Sequence, residues 1–206
     1  MSPIKDKINN YLIPITSAND SLIRDTILQE ECILAVTWKN DTTYFDSSEY
    51  NTGNYPIWVT TAPELLKRMK KEAVDSSKVD LRLKQLVGLP ESSVYNYFVD
   101  LWVKPSDLIR PCPDNNINDK ECKLCFPDST NLGYVVWIND NRISRYYECK
   151  LQDKYPWTQL GYTFDWNRNN ATHYGLSEFV IGRNNTIYKN KIYTTEEYLK
   201  KRIYVK

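Results

Sequence analysis

Glycine is scarce in this chain, since only 6 of its 206 residues are glycine. Folds that bind a dinucleotide or a nucleoside triphosphate use a glycine-rich turn between a strand and a helix, because the backbone must come close to the phosphates. No such turn can be assembled here, and the strand and helix patterns do not alternate regularly as they do in parallel α/β folds. The sequence therefore predicts an α+β fold, a single domain over residues 1–206 with a mixed or antiparallel central sheet flanked by helices.

Three segments carry strand patterns of apolar and β-branched residues. Cys32–Trp38 is an apolar run bounded by polar residues, and Tyr97–Val103 alternates without a proline, which predicts an interior strand. Asp100 interrupts the apolar pattern of that strand, so we expect its face to meet solvent or a cleft. Pro56–Thr60 is a short buried strand, and the capping box Thr61–Glu64, with proline in the first turn, predicts that it leads directly into a helix.

The other elements are predicted from helical spacing, capping residues and β-propensity. Helices are expected over Lys5–Tyr11 and over Leu22–Leu28, the second after a cap within Ser17–Asp20. A third helix is expected over Val79–Leu86 and ends before Gly88. A fourth begins at a second capping box, Thr194–Glu197. Strands are expected over Glu178–Ile181, over Thr186–Tyr193 pairing near it, and over Ile203–Val205 closing the sheet. Asp46–Asn54 is a predicted loop, and Gly133–Ile138 fits either a strand or the start of a helix.

Residues 111–130 are rich in proline, aspartate and asparagine and lack a regular pattern, so they are predicted to be an exposed loop inserted into the domain. This loop contains Cys112, Cys122 and Cys125, and Cys149 follows it in the sequence. Cys32 lies in an apolar run, which predicts a thiol in the core. Three states of the loop cysteines are open. Free thiols are favoured, followed by a disulfide across the loop, and then by a zinc site, for which only one of the usual two cysteine knuckles is present.

The charges of the chain are balanced, with 27 basic and 26 acidic residues. This balance disfavours an unguided duplex-DNA partner, which would require a strongly basic face. No apolar run approaches the ~20 residues that span a bilayer, so no membrane partner is expected. The N-terminus lacks the apolar core of a signal peptide. We therefore expect a cytoplasmic protein, or a secreted effector whose signal has been removed.

His173 is the only histidine. A single histidine excludes histidine-rich metal sites, and no metal is expected. A Ser–His–acid triad would have to use His173, but the chain lacks the Gly-x-Ser-x-Gly elbow that presents such a serine. A cysteine-dependent hydrolase would need Cys112 or Cys149 close to His173. The favoured interpretation is that His173 is an exposed loop residue in front of a strand.

Glu178 is the candidate catalytic residue. It follows Gly175 and Ser177 and opens the apolar run Phe179–Ile181, so its carboxylate can face a cleft while its neighbours anchor the sheet. A fixed carboxylate beside a sugar ring stabilises an oxocarbenium-like transition state, as it does in glycosidases. Loss of nicotinamide from NAD develops similar charge. The alternative is a surface glutamate at the end of a strand.

Several segments resemble parts of ADP-ribosyltransferases. Ser177–Ile181, followed after a short turn by the strand Thr186–Ile192, is similar to the C-terminal part of DNA-targeting ADP-ribosyltransferase toxins and of their RNA 2′-phosphotransferase-like relatives. Pro56–Lys71 resembles their strand–helix step, and Tyr97–Leu108 resembles the next strand and turn. Ile13–Ser17, with the helix after it, resembles their opening NAD-binding segment. Together these segments cover about half of the chain.

The resemblance implies that NAD is the substrate and that ADP-ribose is transferred to a macromolecular acceptor. It implies that Glu178 is catalytic and that Thr16, Ser17, Thr60 and Tyr174 contact NAD. It also implies a toxin or effector with an antitoxin or immunity partner.

The opening segment of that family often carries histidine or arginine, where this chain has only Thr16 and Ser17. Arg24 and Arg110 are therefore the candidates for the arginine that grips NAD. The competing class of protein is a non-enzymatic binding protein whose aromatic residues, 13% of the chain, form a ligand surface.

Overall fold

The computed structural model describes residues 4–72, 74–146 and 155–201. The chain forms two compact units, each assembled from three separate segments. The first, here called the sheet unit, comprises Ile15–Ala73, Val94–Ile109 and Phe179–Lys206. The second, here called the loop unit, comprises Met1–Pro14, Val74–Ser93 and Arg110–Glu178. The assignment of all residues to one domain stays a prediction.

The sheet unit contains an antiparallel sheet, which in the described residues has eight strands. The strands are β1 (Arg24–Ile27), β2 (Glu30–Lys39), β3 (Glu49–Asn51), β4 (Ile57–Thr61), β5 (Tyr97–Val103), β6 (Leu108–Ile109), β9 (Phe179–Ile181) and β10 (Thr186–Thr194). Their order in the sheet is β3-β10-β5-β2-β4-β9-β6, with β1 added to β2. Two helices, α1 (Ala62–Glu72) and α4 (Thr195–Lys200), flank it: α1 packs on β4 and β2, and α4 packs on β10 and β5. The predicted α+β class is confirmed. The sequence predicted a mixed or an antiparallel sheet, and the sheet is antiparallel.

The strands predicted from apolar pattern form the centre of this sheet. β2 is buried at seven consecutive positions, so both of its faces are covered. β5 pairs with β2 on one side and with β10 on the other, which confirms the prediction of an interior strand. β4 runs directly into α1, as the sequence predicted. The Glu64 carboxylate at the start of α1 accepts a hydrogen bond from the Thr60 hydroxyl at 3.2 Å.

The helix predicted over Leu22–Leu28 is wrong, because this segment forms a β-hairpin. β1 pairs with the first part of β2, and Ile27 lies opposite Glu30. The two-residue turn places Leu28 and Gln29 at φ 48° and 70°, a left-handed turn that matches the twist of hairpin strands even though neither residue is glycine. β1 is half-buried or exposed at every position and Ile27 is its one apolar residue, so its pairing with the buried β2, rather than an apolar face of its own, accounts for the strand.

The loop unit contains two described helices, α2 (Val79–Val87) and α3 (Leu132–Tyr146), and a small sheet of β7 (Tyr162–Phe164) with β8 (Tyr174–Ser177). α2 ends where predicted, at Gly88, which adopts φ 70° and caps the helix. The ambiguous Gly133–Ile138 segment is helical, as part of α3. Residues 111–130 contain no helix or strand, as predicted. The expected exposure of this loop is wrong for residues 111–114 and Cys122, which are buried.

Four further predictions need correction or fall outside the described residues. The expected helix over Lys5–Tyr11 is only a 3-10 turn at Lys5–Lys7, and the expected loop over Asp46–Asn54 contains the edge strand β3. β10 pairs with β5 and β3, whereas β9 pairs with β4 and β6. Ile203–Val205 lies outside the described residues.

The second capping box is confirmed at the start of α4. The Thr194 hydroxyl accepts the N–H of Glu197, and the Glu197 carboxylate accepts the N–H of Thr194 at 2.8 Å. Asp100, expected to face solvent or a cleft, is instead completely buried and paired with Lys201, which follows α4. Within residues 4–72, 74–146 and 155–201, no helix has the length and apolar character needed to cross a membrane.

Candidate functional site

Glu178 is the single residue between β8 and β9, at the point where the chain leaves the small sheet and enters the large one. Its neighbours Ser177 and Phe179 are buried, at 2% and 1% exposure, whereas Glu178 itself is half-buried. Its backbone N–H donates to the carbonyl of Gly161 at 2.9 Å. The backbone N–H of Glu178 is therefore anchored, and its side chain is half-buried, with the Oε2 atom itself buried.

Gly161 allows an unusually close approach beside Glu178. It adopts φ 73°, and a Cβ atom at this position would lie 2.6 Å from Cys122 Sγ and 2.7 Å from Arg110 Cδ. Only glycine fits such a position. Sequence reasoning missed this residue, although an isolated glycine beside a strand pattern is a known sign of close backbone approach.

Two tyrosines of the small sheet contact each other edge to face, with the ring centroids of Tyr162 and Tyr174 5.1 Å apart. Their hydroxyls donate to the carbonyls of Lys7 and Ile8 at 2.8 and 2.9 Å. Burial raises the pKa of Tyr162 well above its ordinary value. Tyr174, predicted to contact NAD, thus has its hydroxyl bound to the backbone, and only its half-buried ring remains to contact a ligand.

The other three residues predicted to contact NAD belong to the sheet unit. Thr60 is buried and its hydroxyl is bonded to Glu64, whereas Ser17 is exposed. The Thr16 carbonyl accepts a hydrogen bond from the Arg24 guanidinium, which also pairs with Glu31. Tyr174 and Glu178 belong to the loop unit, so the five predicted residues are divided between the two units.

Arg110 cannot serve as the arginine that grips NAD, because it is completely buried and its guanidinium is occupied by its own unit. It donates to the Ile13 carbonyl at 2.9 Å and to the carbonyl and carboxylate of Asp119 at 3.0 and 2.8 Å. Longer hydrogen bonds reach the carbonyls of Ile117 and Glu121. The sequence offers no local signal for this role, since the acceptors are backbone carbonyls of an irregular loop.

The favoured free-thiol state of the loop is wrong for two of its cysteines. Cys112 and Cys122 form a disulfide, with their Cα atoms 6.4 Å apart, which also excludes a zinc site that uses both. Cys125 is free and exposed, and Cys32 is a free core thiol as predicted, its pKa raised chiefly by burial. Cys149 lies outside the described residues. The disulfide closes the stretch of chain whose backbone carbonyls also accept hydrogen bonds from Arg110.

The disulfide also removes Cys112 as the nucleophile of a cysteine-dependent hydrolase. His173 is half-buried at φ 58°, in front of β8, and its Nδ1 donates to the Asp165 carbonyl at 2.7 Å. The Asp165 N–H in turn donates to the carbonyl of His173. In this structure His173 therefore helps to close the hairpin between β7 and β8.

No group of three or more histidine, cysteine, aspartate or glutamate side chains is placed to hold a metal ion in the part of the chain that the structure describes. Comparison with protein-family models, curated proteins and solved structures found no match to this sequence. The functional argument therefore depends on the chemistry of the residues around Glu178.

Proposed function

We propose that this protein is a divergent NAD-dependent ADP-ribosyltransferase-like enzyme in which Glu178 is the catalytic carboxylate. The observation that carries the proposal is the position of Glu178, held by its backbone directly in front of β9 with a half-buried side chain. The strand–helix step β4–α1 adds support, because β9 pairs with β4 in the same sheet. The acceptor is a macromolecule, and the proposed biological role is that of a toxin or effector with an antitoxin or immunity partner.

In the proposed reaction, the bond between C1′ of the nicotinamide ribose and the nicotinamide nitrogen breaks, and nicotinamide leaves with the electron pair. The Glu178 carboxylate stabilises the positive charge that develops on the ribose. A nucleophilic group of the acceptor then bonds to C1′ and loses its proton. A carboxylate whose backbone is already in place needs little reorganisation when this charge appears, which is why its anchoring to Gly161 matters.

The test is incubation of the protein with labelled NAD, with nicotinamide release as the readout. Glu178→Gln keeps the size of the side chain and removes its charge, so we expect nicotinamide release to fall about 100-fold or more while the fold is retained. Glu178→Ala should behave in the same way. Glu91→Gln, at an exposed position, is the matched control and should release nicotinamide at the wild-type rate. Release that survives the loss of Glu178 unchanged would refute the proposal.

A second candidate function, a non-enzymatic binding protein, is favoured by the exposure of two tyrosines in the sheet unit. Tyr44 and Tyr55 are 66% and 74% exposed, and exposed aromatic rings are frequent contact residues in interfaces. Wild-type protein that releases no nicotinamide, but whose binding to a glycan or peptide array is lost in Tyr44→Ala and Tyr55→Ala, would establish this function instead.

A further inference from the structure

The Cys112–Cys122 disulfide lies in the core of the loop unit rather than on its surface. Both cysteines are at most 1% exposed, and they pack in one apolar cluster with Leu12, Leu160 and Tyr162. The bridge closes the same stretch of chain whose carbonyl groups the Arg110 guanidinium binds. The disulfide and Arg110 thus hold one loop by two different means.

Two paths connect this loop to Glu178. In the first, Cys122 Sγ and Arg110 pack against Gly161, whose carbonyl accepts the N–H of Glu178 at 2.9 Å. In the second, Arg110 donates to the Ile13 carbonyl at 2.9 Å, and the Ile13 N–H donates at 2.8 Å to the hydroxyl of Ser177, the residue before Glu178. Both paths run entirely within the loop unit.

We propose that the Cys112–Cys122 disulfide is a redox-controlled lock on the position of Glu178. In the oxidised protein the bridge holds Arg110 and Gly161 in place, and they hold the backbone at Glu178. After reduction the loop is no longer closed, both paths loosen, and Glu178 loses its fixed position. The effect on catalysis rests on the proposed function, whereas the effect on the Glu178 backbone does not.

The chemistry of the switch is thiol–disulfide exchange with a dithiol reductant. A thiolate of the reductant attacks one sulfur of the bridge, the Cys112–Cys122 bond breaks, and a mixed disulfide forms. The second thiol of the reductant then displaces the remaining cysteine, so that the reductant becomes a disulfide and both cysteines end as thiols. Because both sulfurs are buried, attack requires local opening of the loop, and reduction should be slow compared with that of an exposed disulfide.

Amide hydrogen exchange in the oxidised and dithiothreitol-reduced full-length protein tests the lock. We expect the amides of Glu178 and Ile13 to exchange about tenfold faster or more after reduction. Amides of α2 in the loop unit and of β5 in the sheet unit should keep their protection. The Cys112→Ser/Cys122→Ser variant should show the fast exchange without reductant. Cys125→Ser, which removes the exposed free thiol and leaves the bridge intact, is the matched control and should behave as wild type.

Equal protection of Glu178 in both states, with reduction verified by thiol counting, would overturn the proposal. Loss of protection throughout α2 would also overturn it, because the disulfide would then stabilise the whole loop unit and not the position of Glu178 in particular. Nicotinamide release, measured in parallel, should fall on reduction. If the exchange of Glu178 changes but neither state releases nicotinamide, the lock stands and the proposed function fails.

Discussion

Among the described residues, each of the two units has one completely buried aspartate, and the pKa values of the two carboxylates shift in opposite directions. In the loop unit, Asp165 accepts a bidentate pair of hydrogen bonds from Arg82 at 2.9 and 2.7 Å, together with bonds from the side chain of Asn170 and the N–H of Asn167. Burial by itself would raise the pKa of Asp165, but these hydrogen bonds lower it below its ordinary value. In the sheet unit, burial raises the pKa of Asp100, and the nearby Lys201 offsets only part of that effect.

The difference shows that an opposite charge is not sufficient to stabilise a buried carboxylate. A guanidinium presents two parallel donors to both oxygens of one carboxylate, whereas an ammonium is a compact point charge. Arg82 is itself buried, while the side chain of Lys201 is 22% exposed and lies over the rings of Tyr193 and Tyr198. We therefore expect the loop unit to depend strongly on its buried ion pair, and the sheet unit to tolerate an incompletely compensated carboxylate.

The largest expected effect is that of Arg82→Met. This change leaves the Asp165 charge buried without its guanidinium, so the free energy of unfolding should fall by about 3–5 kcal/mol. Urea denaturation followed by circular dichroism measures the change. The double variant Arg82→Met/Asp165→Asn removes both charges and should recover part of the loss. If the single and double variants were equally stable, the ion pair would not be the reason for the low pKa of Asp165.

Lys201→Met should lower the free energy of unfolding by less, about 1–2 kcal/mol. Lys201 is partly solvated, and Asp100 can bind a proton once its partner is gone, so little uncompensated charge remains. The same denaturation experiment applies. Lys200→Met is the matched control, because Lys200 forms an exposed pair with Glu196 and its loss should change the stability by no more than about 0.5 kcal/mol. An effect of Lys201→Met as large as that of Arg82→Met would contradict the comparison.

Asp100→Asn should change the free energy of unfolding by less than about 1 kcal/mol in either direction, because removing the charge also removes its cost of burial. The amide retains the size of the carboxylate and can still accept a hydrogen bond from Lys201. Thermal unfolding of wild type and variant, side by side, measures the difference. A loss of several kcal/mol would mean that the Asp100 charge is fully compensated.

The smallest expected effect is a difference in pH dependence. The folded-state pKa of Asp165 lies below its ordinary value of 3.8, so this carboxylate stabilises the fold above that pH, and its contribution is lost as the pH falls through the lowered pKa. The folded-state pKa of Asp100 lies above 3.8, so its contribution is complete below that pH and is lost as the pH rises through the raised pKa.

Chemical denaturation of wild type, Asp165→Asn and Asp100→Asn over a series of pH values measures both contributions. The stability of wild type relative to Asp165→Asn should increase with pH, and its stability relative to Asp100→Asn should decrease. Two curves with the same sign would contradict the pKa shifts that distinguish the units.

The candidate site is only partly accessible to sequence reasoning. Glu178 stays a prediction, made from an acidic residue in front of an apolar run together with the resemblance to ADP-ribosyltransferases. Its anchor, Gly161, and the buried role of Arg110 were not predicted, because each depends on atoms brought together from distant parts of the chain. Thr16, Ser17 and Thr60 were grouped with Tyr174 and Glu178 by resemblance, yet they belong to the other unit.

Residue patterns alone are enough to predict β2, β4 and β5, the step from β4 into α1, the end of α2 at Gly88, and the capping box of α4. These features depend on the spacing of buried apolar residues, on backbone conformation and on hydrogen bonds within about four residues. The local residue types determine all three directly.

Tertiary structure alone decided that the segment ending at Leu28 pairs as a hairpin, that Cys112 bonds to Cys122, and which cation each buried aspartate receives. Arg82 and Asp165 are 83 residues apart, and Asp100 and Lys201 are 101 residues apart. The entropy of closing a loop changes only slowly with its length, so sequence distance hardly discriminates among distant partners. The packed fold selects them by bringing a particular donor within reach of each buried carboxylate.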